Sequence, residues 1–144
     1  MGRMAMISAL VGALAAGAAP AVSQGAVRYA APDGLVVIGS SQEFEILTIA
    51  GRGKADYFCA AGRFARDRLG ARNTDRVIVI SGRTPSQIQP NRDAVVFAVT
   101  GPDGPRPPVA RIAGPRRGQS ASVGHANALC SLAHMGHGSS NDDD

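Results

Sequence analysis

The side chains best suited to chemistry crowd near one end of this chain. The stretch VGHANALCSLAHMGHG, residues 123–138, holds all three histidines and one of the two cysteines. A thiolate and an imidazole four positions apart share a helix face, so Cys130 and His134 could hold one metal ion. His125 and His137 are the further candidate ligands, and the Met135 thioether beside them would favour Cu(I), which selects soft donors. The spacing matches no standard zinc module, and Gly136 and Gly138 surround His137 in a polar tail. No metal ligand is therefore assigned.

A second chemistry would make Cys59 a nucleophile. It stands in the second turn of a predicted helix whose N-terminus and nearby arginines would lower a thiol pKa. His125 would then be the base. A third orienting group is missing, and so is the Cys-x-x-Cys of a thiol oxidoreductase. Ser122, His125 and Asp93 can be named as a hydrolase triple, but a chain of this length contains such triples by chance. Gly51-Arg52-Gly53 lacks the rest of either phosphate-binding pattern. No catalytic or cofactor-binding residue is assigned, no cofactor is implied, and the expectation leans away from an enzyme.

The third chemistry is covalent. Arg3 supplies a short positive n-region, the run from Met4 to Ala19 carries no charge, and Ala19-Pro20-Ala21 presents small residues where signal peptidase reads. Residues 1–21 therefore read as a signal peptide, cut after Ala21 or after Ser23. Met4–Val22 is mostly Ala and Gly and is interrupted by Pro20, which makes it a poor membrane anchor. No stable membrane insertion is expected after cleavage, and the protein is expected in the periplasm or secreted. Two cysteines in such a protein are first of all a disulfide. Closing the stretch between Cys59 and Cys130 would contribute on the order of 4 kcal/mol through loop entropy.

The elements that must position these residues follow from periodicity. Residues 22–34 read as a leader ending in the turn Pro32-Asp33-Gly34. Leu35–Gly39 is a short apolar run, and residues 43–51 alternate with Phe44, Ile46 and Thr48 on one face and Glu45, Leu47 and Ile49 on the other. Over 54–70 the residues Tyr57, Phe58, Ala61, Phe64, Ala65 and Leu69 form one helical stripe, with Gly70 placed to end it. Cys59 falls off that stripe, on the flank with Arg63 and Arg66. RVIVISG (76–82) and DAVVFAVTG (93–101) read as strands buried on both faces, with a polar loop over 83–92.

Five of the nine prolines lie within 101–118, which reads as an extended excursion with a short edge strand at Val109–Ile112. Its single PRPP is a weak polyproline motif. Residues 120–135 fit either a helix or a strand, with helix preferred. Residues 136–144 read as a disordered tail.

Charge narrows the partners. The chain has 15 basic and 11 acidic side chains, and loss of Arg3 would lower its net charge from +4 to +3. An anionic surface is a conceivable partner for the scattered arginines. Only Arg63, Arg66 and Arg68, and then Arg116 and Arg117, cluster, and no aromatic residues interleave them to stack bases. Nucleic acid is not the expected partner.

The stretch DYFCAAGRFARDRLGARNTDRVIVISGRTPS, with RDAVVFAVT and a late cysteine after VGHA, resembles a family of short exported bacterial proteins with two cysteines. The likeness spans residues 43–132. It implies that Cys59 and Cys130 belong together and brings no activity with it. The expected product is one α+β domain over 35–135: a small antiparallel sheet of three to five strands, with one main helix at 54–70 on one face. The expected role is a small exported, disulfide-stapled accessory or binding protein. The rival is a thiol- or metal-dependent (Cu or Zn) activity centred on Cys59, Cys130, His125 and His134.

Overall fold

The structure, a computed structural model, describes residues 26–40, 42–106 and 114–135, with the side chains of His134 and Met135 left out. The elements run β1 (Val27–Ala30), β2 (Val36–Gly39), β3 (Phe44–Leu47), α1 (Lys54–Leu69), β4 (Arg76–Pro85), β5 (Asp93–Thr100), β6 (Ser120–Ser122) and α2 (Val123–Met135). The strands form one antiparallel sheet in the order β1-β2-β3-β5-β4-β6. The α+β class is as expected. The count is not: six strands and two helices are described, where three to five strands and one main helix were expected.

Strand alternation decides which face the helices cover. Val37, Phe44, Ile46, Val77, Val79, Val95, Phe97 and Ala121 point to one side, where they meet Tyr57, Phe58, Ala61, Phe64 and Ala65 of α1. Register puts Phe44 opposite Phe97 on adjacent strands, with their rings stacked 5.9 Å apart. Phe64 lies 4.8 Å from Phe44 and Phe58 meets Phe97 edge-on at 5.3 Å. Burying such a ring contributes on the order of 2–3 kcal/mol, so this aromatic centre anchors α1 on the sheet. The opposite face has its own smaller cluster of Ile38, Leu47 and Ala94.

The ends of α1 follow from local chemistry. Asp56 reaches back to accept the Gly53 N–H at 2.7 Å, half of a capping box, since Gly53 has no side chain to reciprocate. Gly70 takes the left-handed conformation (φ 65°), and the Ala71 N–H closes onto the Ala65 carbonyl at 2.9 Å. The helical stripe and its stop are as the periodicity predicts.

Three departures from expectation have physical causes. β1 lies inside the stretch read as a leader. Its side chains are mostly exposed, so no apolar alternation marks it. Residues 120–135 hold both readings in succession, a three-residue strand and then a helix. β4 runs past Gly82 to Pro85 by means of two bulges, which shortens the expected 83–92 loop. The Val109–Ile112 edge strand, the signal peptide and the 136–144 tail lie outside the described residues. Among the described residues no helix is long and apolar enough to cross a membrane.

Candidate functional site

Cys59 of α1 and Cys130 of α2 are joined by a disulfide, with their Cα atoms 4.8 Å apart. The distance sits within the normal range for the bond. The flank that carries Cys59, off the stripe facing the sheet, is the flank that α2 covers. Cys59 is therefore only 2% exposed, and α1 is buried on two sides. Gly62, one turn further on, makes the crossing possible, because a Cβ there would stand 2.7 Å from the Ala126 Cβ. Asn127 donates to the Val123 carbonyl at 2.9 Å and to the Gly62 carbonyl at 3.4 Å, linking the two helices.

The start of α2 is held by the turn before β4. The Val123 N–H donates to the Asp75 carbonyl at 2.7 Å and the Gly124 N–H to the Asn73 carbonyl at 3.0 Å. Ser122 caps the helix by accepting the His125 N–H at 3.1 Å. The turn has its own clasp: the Asp75 carboxylate accepts the Arg72 N–H at 2.8 Å and an Arg72 guanidinium N–H at 3.2 Å. These bonds, the main-chain one first, hold the Asp75 carboxyl below its ordinary value.

Among the described residues the histidine and cysteine candidates do not converge into a site. Both sulfurs are consumed by the disulfide, so Cys59 is no free nucleophile and Cys130 no thiolate ligand. His125 is exposed on the first turn of α2. The side chain of His134 and all of His137 lie outside what is described. No cluster of three or more His, Cys, Asp or Glu residues able to hold a metal occurs among the described residues. Ser122 and Asp93 stand at opposite ends of the sheet: Ser122 pairs with Arg76 at the start of β4, Asp93 with Pro85 at its end.

The arginine clusters are mostly committed to the surface. Arg66 pairs with Asp67 at 3.1 Å, and Arg68 lies 5.4 Å over the Tyr29 ring. Tyr29 donates its hydroxyl proton to Asp67 at 3.1 Å. Burial first, and that bond second, raise its pKa.

Polar side chains gather instead at a cavity of about 220 Å³ beside the first turn of α1. Its lining is Thr48, Arg52, Tyr57, Arg83, Val95, Gly114 and Pro115. The β4 bulge builds one wall. Ser81 pairs with Val96 and Thr84 with Ala94, so Gly82 and Arg83 together oppose the single residue Val95. Arg83 thereby joins Val95 on the cavity side. Gly82 lets the opposite wall approach, since a Cβ there would stand 3.1 Å from the Pro115 carbonyl oxygen.

The other wall is pinned by α1 and the loop before it. Arg52 donates to the Asp33 carbonyl at 2.7 Å and pairs with Asp56 at 3.5 Å. The Tyr57 hydroxyl donates to the Ile49 carbonyl and accepts its N–H, both at a long 3.4 Å. Arg83 was not singled out from the sequence, and Arg52 entered only within the rejected Gly51-Arg52-Gly53 pattern. The available signal was an isolated glycine inside a strand pattern, Gly82, which marks a bulge and a close backbone approach.

No known family, curated protein or solved structure matches the chain. Its own residues and geometry define the site.

Proposed function

We propose that this is a small exported binding module, periplasmic or secreted, whose two helices are stapled by Cys59–Cys130 and whose ligand occupies the cavity walled by Arg52, Tyr57, Arg83 and Val95. One observation carries the reading: both sulfurs are spent on a buried structural bond, while the polar side chains converge elsewhere, on a concave site with apolar walls. The staple supports the compartment, since such bonds persist where the surroundings are oxidising. Thr48 and Tyr57 lie at element ends and Arg83 on a bulge, positions where a rigid sheet can present binding groups.

The test is an NMR titration of the oxidised, isotope-labelled protein with a panel of small neutral, anionic and cationic fragments. The reading predicts saturable amide shifts confined to the neighbourhood of Thr48, Arg52, Arg83 and Gly114. Shifts that gather instead around Cys130 and His125 would overturn it.

A further inference from the structure

From the lining of this cavity we infer its ligand class: a small organic carboxylate, with the acid group held by Arg83 beside Arg52 and a short apolar body toward Pro115 and the edges of Val95 and Tyr57. The inference rests on the cavity being the binding site, as proposed above. Both charged residues of the lining are arginines. Arg83 has no hydrogen-bond or ion-pair partner among the described residues, so its five donors remain for a ligand. Arg52 already donates to the Asp33 carbonyl at 2.7 Å and adds charge beside Arg83 without an open fork. Its carboxylate partner Asp56 stands at 3.5 Å and also accepts the Gly53 N–H at 2.7 Å.

A third cation stands close by, because Arg92 reaches the carbonyl of Thr48 at 3.5 Å. Asp56 pairs with Arg52, and Asp93, next to Arg92, also meets Thr48, so Arg83 is the cation of the lining left for an anion. The helix start is not the anchor. The Gly53 N–H is already taken by Asp56, and Arg52 is engaged by the Asp33 carbonyl and Asp56, so the open guanidinium fork is that of Arg83, which suits a carboxylate bidentately.

Shape and polarity separate an organic acid from a bare oxyanion. Pro115 lines the cavity together with the edges of Val95 and Tyr57, which are themselves almost fully buried. A bare oxyanion would engage Arg83 alone, whereas a carboxylate with a short apolar body also reaches Pro115 and these edges. At about 220 Å³ the space falls below the roughly 300–1,000 Å³ of sites for drug-sized ligands, which suits a small acid.

The experiment compares benzoate, benzamide and inorganic phosphate as probes of the oxidised protein by NMR titration at constant ionic strength. Benzoate should saturate with shifts at Arg52, Arg83 and Val95 and bind about tenfold or more tightly than benzamide, as a charge-assisted fork requires. Arg83→Gln should weaken benzoate about tenfold and leave benzamide unchanged, while Arg117→Gln, an exposed arginine outside the lining, leaves benzoate unchanged.

Benzamide binding in the cavity as tightly as benzoate would overturn the carboxylate inference and leave the binding site standing. Phosphate displacing benzoate at equal concentration would overturn the organic-acid assignment in favour of a bare oxyanion. If no probe moves the cavity amides, the site and the inference fall together.

Discussion

Gly62 illustrates how much can hang on a single missing methyl group. Adding a Cβ would bring it within 2.7 Å of Ala126 and 3.0 Å of the Asn127 nitrogen, at the crossing that aligns the two cysteines. Gly62→Ala should gain about 1 kcal/mol in helix propensity but lose more through overpacking, typically 1–3 kcal/mol. A lower urea midpoint with an unchanged m-value is the expected result.

Glu45 tells a related story on the other face. It is 5% exposed, and its carboxylate accepts from the Ser86 hydroxyl and, at 2.9 Å, from the Gln87 N–H. Glu45→Ala should cost about 1–3 kcal/mol by orphaning those donors, and the Gln87 amide should exchange faster. Alternation correctly puts Glu45 opposite Phe44 and Ile46. The loop that returns over it from 41 residues away leaves no local signal.

Asp75 adds a pH dependence. Its carboxyl is held below the ordinary value in the fold, so its contribution is complete above the unfolded-state value and disappears as pH falls through the folded one. Asp75→Asn should therefore flatten the acid limb of the stability profile, measured by denaturation from neutral pH downward.

At the scale of elements, the disulfide decides whether α2 stays on α1. Breaking it by reduction, or by paired Cys59→Ser and Cys130→Ser substitution, should cost about 2–5 kcal/mol. Hydrogen exchange should localise the loss. Amides of α2 should lose protection first, while the central β3-β5-β4 pairing retains it.

Much of this layer was legible in the sequence. The stripe from Tyr57 to Leu69, the stop at Gly70 and the hairpin of β4 and β5 all follow from local periodicity and turn chemistry. What escaped depends on distant partners or weak patterns. The helix preferred for 120–135 is present from Val123, but the three-residue strand before it, defined by pairing with β4, was not separated from it. β1 is exposed on most of its residues, so pairing with β2 defines it and composition does not.

For the whole molecule, the candidate site was the least legible part. The sequence draws the eye to the histidines and cysteines because they are scarce and chemically distinctive. Arg52 and Arg83 are two among many arginines, and they meet only because a bulge in β4 turns one of them toward the loop before α1. The staple and the cavity occupy different parts of the fold: Cys59 and Cys130 lock the helices together, and the widened end of β4 and β5 opens the concave surface.

The central claim is an exported chain closed by Cys59–Cys130, and intact-mass analysis of the natively exported protein tests it most directly. Protein collected from the periplasmic fraction or the medium should begin at Val22 or Gln24, take up no alkylating reagent when denatured without reductant, and take up two equivalents after reduction. A chain that still begins at Met1 and alkylates at both cysteines without reduction would contradict the account.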